Sequence, residues 1–177
     1  YFDSDHLVEM AARALELSGQ ARGVYFTLNP VNPALHARLP NAVGVARRGE
    51  ATTDTDITTR RWLLIDLDPA RPGGISSTAE EKQLAFDRIL ADSGNGYHLL
   101  YRTDLPADGP LVQNILRALD QRFSDEIVKV DTTVHNPARI VRLYGTMARK
   151  GGSTQDRPHR ASSVLEVPSI QANENPP

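Results

Sequence analysis

The sequence predicts an α+β fold, a sheet with helices on one side, and three observations carry that expectation. Short apolar runs rich in β-branched and aromatic residues alternate with segments of helical period. Two of the strand runs end in acids, at Asp66/Asp68 and at Asp131, and the runs are spaced as hairpin-like pairs more than as the βαβ units of a doubly wound sheet. No internal repeat is present.

Asp3, Ser4 and Asp5 offer helix caps, and Leu7, Met10, Ala11, Ala14 and Leu17 follow at helical spacing until Gly19 closes the helix. Residues 23–28 read as a strand. The Asn29-Pro30-Val31-Asn32-Pro33 segment after it is irregular, because proline supplies no ladder donor. Residues 42–47 are a further strand candidate. Asp54 and Asp56, set among threonines, read as capping and turn residues in preference to metal ligands. Trp62, Leu63, Leu64 and Ile65 form a continuous apolar run, expected to be a strand buried on both faces, which ends at Asp66 and Asp68 with Pro69 stopping the ladder.

Residues 69–77 form a Pro/Gly/Ser loop, suited to a substrate entrance. Thr78 and Glu81 make a capping box for a helix over residues 80–90, with Leu84, Ala85, Ile89 and Leu90 on its apolar face. A turn at residues 92–98 leads into a strand at 99–102. Asp108, Gly109 and Pro110 start a helix whose buried stripe is Val112, Ile115, Leu116, Leu119 and Phe123, and residues 127–131 form a strand that closes on Asp131.

A chain of 177 residues suffices for one well-buried domain or two small modules sharing a sheet. No apolar run reaches membrane-span length and no signal-peptide pattern opens the chain, so a cytoplasmic protein with no membrane partner is expected. With no cysteine, any metal must be held by oxygen or imidazole, and the five histidines show no paired ligand spacing. A net charge of −2 argues against a wholesale nucleic-acid binder but conceals a local basic stretch. Residues 139–160 hold Arg139, Arg142, Arg149, Lys150, Arg157 and Arg160 against one acid, Asp156. The chain opens on Tyr1 and closes on a polar stretch, residues 169–177, which reads as a tail or linker to an unseen region.

Alternation along a strand puts Asp66 and Asp68 on one face and turns Leu67 inward. Two adjacent carboxylates repel, and a divalent cation between them relieves the repulsion; the plainer reading is two solvated acids entering a turn. Ser93-Gly94-Asn95-Gly96-Tyr97-His98 is not a dinucleotide loop, since it lacks the third glycine and leads into a strand, and no Walker A pattern exists. It offers backbone N–H groups at Gly94 and Gly96 with a hydroxyl and an imidazole, which are phosphate ligands; a tight hairpin with a satisfied core histidine is the alternative. Asp131 adds a third carboxylate free to join the others. Three acids can seat two divalent ions about 3.5–4 Å apart, which activate a 3′-hydroxyl and stabilise leaving pyrophosphate. Arginine's planar fork suits a triphosphate or a nucleic-acid backbone.

An Asp-x-Asp strand, a Ser-Gly-x-Gly-x-His turn, a third Asp and trailing basic residues, in this order, resemble the archaeo-eukaryotic primase superfamily, above all its bacterial, phage and plasmid primase-polymerase branch. Residues 62–68, 92–101 and 130–146, with Arg142-Leu143-Tyr144-Gly145-Thr146, carry the likeness. The resemblance implies a catalytic domain over 1–168, with an N-terminal α/β module at about 1–60 packed on a palm like an RNA-recognition-motif sheet at about 61–168. It implies that Asp66, Asp68 and Asp131 bind Mg²⁺ or Mn²⁺, and that Ser93 and His98 meet the incoming nucleotide's phosphates with Arg139 or Arg142. Arg149, Lys150, Arg157 and Arg160 would then track nucleic acid. The implied activity is primer synthesis and extension on single-stranded DNA from nucleoside triphosphates, with a template, a primer strand and a fused helicase or other replication or defence domain as partners. Relatives have a longer connection before the Asp92 turn, so a segment missing between Leu90 and Asp92 is expected. A nucleotide- or nucleic-acid-binding module without catalysis and a metal-dependent nuclease are the rival readings.

Overall fold

The computed structural model describes residues 1–44, 49–81 and 93–167. Within them the chain is mixed helix and sheet, as α+β patterning predicts. The central element is β2, Arg60–Pro69, which pairs antiparallel on one side with β3, Tyr97–Leu105, and on the other with β4, Val128–Val130. Leu67 pairs with Tyr97 across one edge and with Val130 across the other, so it sits where backbone partners and side-chain packing are both complete.

Helix α2, Leu111–Phe123, covers one face of this sheet. Val112 and Leu116 are buried in a core with Ile65, Leu67, Tyr97, Val128, Val130 and Val134, and Leu119 packs at its edge. Phe123, expected in that stripe, is instead 54% exposed at the helix end, with the Arg122 guanidinium 5.6 Å from its ring centre. The other face of β2 meets a two-stranded ribbon of β1, Tyr25–Thr27, and β5, Ile140–Arg142. Leu28, Leu64 and Val141 belong to the same core from that side.

Asn29 ties the two layers: its Oδ1 accepts the N–H of Trp62 at 3.1 Å, and its Nδ2 donates to the carbonyl of Pro137 at 3.3 Å. A polar side chain this buried is stable because both ends of the amide are satisfied. A small β6–β7 pair, Met147–Ala148 with Arg160–Ala161, closes the C-terminal side.

Several expectations change in detail. Trp62 is 37% exposed, so β2 is buried on both faces only further along, at Leu64, Ile65 and Leu67. Pro69 does not stop the ladder, for it remains in register with Val128 and Ala70 donates to Ile127 just beyond. Helix α1, Leu7–Leu17, buries only Ala14, and Leu7 at its start is exposed. Asp3 caps the short 3-10 turn, Ser4–His6, that precedes it.

Residues 42–44 are not in a strand, and the rest of that candidate, 45–48, lies outside the described residues. The Thr78–Glu81 capping box forms, with Thr78 N–H donating to Glu81 Oε2 at 2.7 Å and Glu81 N–H to Thr78 Oγ1 at 3.1 Å. Residues 79–81 are helical. The remainder of the helix expected to 90, the connection to Asp92 and the tail from 168 lie outside the described residues. Asp54 and Asp56 do serve turns: Thr53 and Asp56 form a capping box, and Asp54 accepts the N–H of Ala138 at 2.9 Å. No helix among the described residues is long and apolar enough to cross a membrane.

Candidate active site

Between β2–β3 and the β1–β5 ribbon lies an open cleft of about 910 Å³. It is lined from one side by Leu64, Asp66, Asp68, Ser93, Asn95 and His98, and from the other by Tyr25, Arg139, Ile140, Val141 and Arg142, with Gln20, Arg22, Arg71, Gly74, Arg149, Lys150, Gly151 and His159 around the rim. Nine of the sequence-selected residues therefore share one concavity: Asp66, Asp68, Ser93, Asn95, His98, Arg139, Arg142, Arg149 and Lys150. Asp131, Gly94, Gly96, Arg157 and Arg160 are not on its wall.

Asp66 and Asp68 share the cleft face of β2, as strand alternation requires, while Leu67 between them is buried. Burial, followed by the neighbouring Asp66 charge, pushes the Asp68 carboxyl above the ordinary carboxylate range, against an opposing pull from Arg71. Arg71 is nearly inaccessible and each of its three nitrogens is engaged: Nη2 donates to Asp68 Oδ1 at 2.9 Å, Nη1 to the carbonyl of Pro69 at 3.2 Å, and Nε to that of Ile75 at 3.3 Å. It fixes the acid and shapes the loop beyond β2 together.

The turn before β3 is built from its own atoms. Ser93 Oγ donates to the carbonyl of Gly96 at 2.8 Å and accepts the Gly96 N–H at 3.0 Å. The Gly96 N–H expected to meet phosphate is thus already spent, which corrects that expectation, and the Ser93 hydroxyl is engaged with it. Glycine is required at both positions. Gly94 has φ of +90° and a Cβ there would come within 2.7 Å of Ala148 Cβ; a Cβ on Gly96 would strike the Leu67 carbonyl. These glycines press the turn against β2 and β6, so their contribution is placement. Asn95 is buried on the cleft wall with no partner for its Oδ1 among the described residues.

His98 stands opposite Asp66 in the β2–β3 register. Its Nε2 lies 3.5 Å from Asp66 Oδ1, and its Nδ1 lies 2.8 Å from the Tyr144 hydroxyl. The plain core-histidine alternative is half met: the ring is buried and bonded, yet it borders the cleft beside an acid.

Asp131 is attached to this group through the backbone, donating its N–H to the carbonyl of Asp66 at 2.8 Å. Its carboxylate caps the turn Thr132–His135, accepting from Thr133 N–H at 2.8 Å and Thr133 Oγ1 at 2.7 Å, and lies 3.9 Å from Arg139. Among the described residues no three His, Cys, Asp or Glu side chains stand close enough to hold a metal ion together. The pair that shares the wall is Asp66 and Asp68.

The basic stretch is not one free surface. Arg142 is buried, donating to Tyr25 OH at 2.9 Å and to the carbonyl of Met147 at 3.2 Å, with its guanidinium 4.8 Å from the centre of the Tyr25 ring. Arg149 Nη1 donates to the carbonyls of Gly19 and Gln20. Arg157 forms a two-armed ion pair with Glu81 at 2.8 Å per arm and also meets the carbonyl of Ser76 at 2.8 Å; Arg160 donates to that of Ser77 at 2.6 Å. Arg157 and Arg160 are only half-buried, but both spend guanidinium donors on Glu81, Ser76 and Ser77, so they stand apart from the cleft as tied groups where a free nucleic-acid face was expected. The cleft cations whose side chains carry no hydrogen bond or ion pair among the described residues are Arg22 and Lys150, and Arg139 has only its long contact to Asp131.

Sequence reasoning missed Arg71, Tyr25, Arg22 and Tyr144. Arg71 carries a legible signal, three residues after Asp68 across Pro69. Tyr25 and Arg22 are far from the acids in sequence, and only the β1–β5 pairing brings them there. Comparison with family models, with curated proteins and with solved structures returns no match.

Proposed function

We propose that this chain is a template-directed nucleotidyltransferase of the primase-polymerase kind, which synthesises and extends primers on single-stranded DNA from nucleoside triphosphates. The observation that carries this reading is one cleft lined by a same-face carboxylate pair, a histidine beside it and two cations, Arg22 and Lys150, whose side chains have no hydrogen bond or ion pair among the described residues. The antiparallel sheet with Asp-x-Asp on its middle strand suits the palm of that superfamily, and the β1–β5 ribbon suits the opposing wall.

The donor set fits a hard divalent cation. Asp66 and Asp68 supply only oxygen, and the burial and Asp66 charge that raise the Asp68 carboxyl disfavour its ionised form, a penalty that a bound cation would relieve. Mg²⁺ or Mn²⁺, when bound, would polarise phosphoryl oxygens and lower the pKa of an attacking 3′-hydroxyl. Asp131, tethered to Asp66 through the backbone, is the third carboxylate and would join by releasing its hold on Thr133. Lys150, Arg139 and Arg22 are placed to receive triphosphate charge, and His98 to donate to a phosphate oxygen from the Asp66 side. Catalysis on this reading is positioning plus electrostatics, as phosphoryl transfer requires.

The test is incubation of the chain with single-stranded DNA, labelled ribo- or deoxyribonucleoside triphosphates and Mn²⁺ or Mg²⁺, with and without primer. The expected result is elongated product that Asp66→Ala and Asp131→Ala abolish while far-ultraviolet circular dichroism stays unchanged. Cleavage of the DNA without incorporation would favour a nuclease. Nucleotide binding without either reaction would favour a binding module.

A further inference from the structure

We infer that Tyr25 is the surface on which the base of the incoming nucleoside triphosphate stacks, and that Arg142 is its positioning residue and not a phosphate ligand. The inference rests on the nucleotidyltransferase reading of the cleft. Tyr25 and Arg142 are directly opposed partners in the β1–β5 ladder, the relation in which cross-strand side chains meet. Arg142 fixes the ring twice, through a hydrogen bond to the hydroxyl at 2.9 Å and by lying over the ring at 4.8 Å. With the rest of its fork turned to the Met147 carbonyl and its surface only 9% exposed, Arg142 has little left for a triphosphate.

Gly23 completes the mount. A Cβ there would lie 2.7 Å from Tyr25 Cε2 and 2.5 Å from Arg142 Nη1, so only glycine lets the ring and the guanidinium occupy these places. A tyrosine held this firmly would normally be covered. Tyr25 is instead 48% exposed, and it lines the cleft from the wall opposite the strand that carries Asp66 and Asp68. A rigid, open aromatic ring across from a phosphate-handling group fits a molecule with charge at one end and a flat ring at the other. Arg22, three residues before Tyr25 and on the rim of the cleft, has no side-chain hydrogen bond or ion pair among the described residues and would meet the phosphate end.

The experiment is calorimetric titration of the 177-residue chain, in Mn²⁺, with ATP and with inorganic tripolyphosphate, repeated for Tyr25→Leu and Tyr25→Phe. Stacking predicts that Tyr25→Leu weakens ATP about tenfold or more, leaves tripolyphosphate within about twofold, and that Tyr25→Phe stays within about threefold of the parent for both. Equal losses for ATP and tripolyphosphate would mean that Tyr25 acts only by supporting the ribbon and would overturn the proposal. So would unchanged ATP affinity, including the case in which single-stranded DNA binding alone falls, which would assign the ring to a template base. If the unsubstituted chain bound neither ATP nor tripolyphosphate, the nucleotide reading of the cleft itself would fail, and the proposal with it.

Discussion

The hydroxyl of Tyr144 lies 2.8 Å from Nδ1 of His98, on the side of the imidazole away from Asp66. Burial, and after it the Asp66 charge, raise the Tyr144 pKa far above its usual value, so the phenol keeps its proton, and the Asp66 carboxylate facing Nε2 favours the tautomer to which that phenol donates. Nδ1 is then the acceptor, and the ring proton sits on Nε2, directed at Asp66. Tyr144→Phe is expected to free this tautomer and lower the incorporation rate about tenfold. It should leave the melting temperature within a few degrees. A loss of fold without that kinetic effect would make the contact structural only.

Arg71 ties Asp68 to the loop beyond β2 with three hydrogen bonds. Arg71→Ala should cost about 2 kcal/mol in urea unfolding, since it leaves two carbonyls and a carboxylate short of a donor. Arg71→Lys should recover only part of that, because one ammonium cannot reach three divergent acceptors.

Asp68 gives a pH dependence whose sign is opposite to that of an ordinary ion-paired acid. Its carboxyl is raised in the folded chain by burial and by Asp66, so the folded state favours the proton. Its contribution to stability is therefore greatest below the unfolded carboxyl pKa and is lost as pH rises through the raised folded value. Asp68→Asn should match or exceed the parent in thermal stability at pH 7 without divalent cations, and lose their binding. Cation affinity of the parent should climb as pH passes upward through the same range. A variant that melted well below the parent would show that the Arg71 pair outweighs the repulsion.

Glu81 behaves the other way. The Arg157 hydrogen bonds lead the causes that hold its carboxyl below the usual value, so its contribution is present above the unfolded pKa and lost as pH falls through the folded one. Arg157→Ala is expected to lower stability only slightly in chemical denaturation, the ordinary behaviour of a partly exposed, solvent-screened pair. Single-stranded DNA affinity should change by less than about threefold, because that guanidinium is already spent on Glu81 and Ser76.

Gly96→Ala should be among the most damaging small substitutions in the chain. A single methyl there meets the backbone of β2 at Leu67, and backbone cannot step aside as a side chain can. Loss of incorporation with a lowered melting temperature is the expected outcome.

Local pattern was enough to read β2, the capping box at Thr78 and Glu81, helix α2 and the shared face of Asp66 and Asp68, because period and cap chemistry depend on neighbours in the chain. The partners of the arginines were not readable in this way. Arg157 and Lys150 look equivalent in sequence, yet one closes on Glu81 and the other stays open on the cleft, a difference made by which strand ends meet. Asp131 shows the same limit. Its position after β4 was legible, but not that Thr133 would occupy its carboxylate. Helix α1 has a helical apolar period and buries little, since period shows which residues share a face and not whether another element covers it.

The bond from Arg142 to Tyr25 joins residues 117 positions apart. Loop closure over such a span is slow and entropically costly, whereas β2, β3 and β4 meet through shorter separations and with far more shared surface. During synthesis the carboxylate wall can therefore assemble while β5 is still being made, and β1 must wait for its partner until residues 140–142 emerge. The two walls of the cleft are thus acquired at different moments, and the cleft exists only once the later of them is in place.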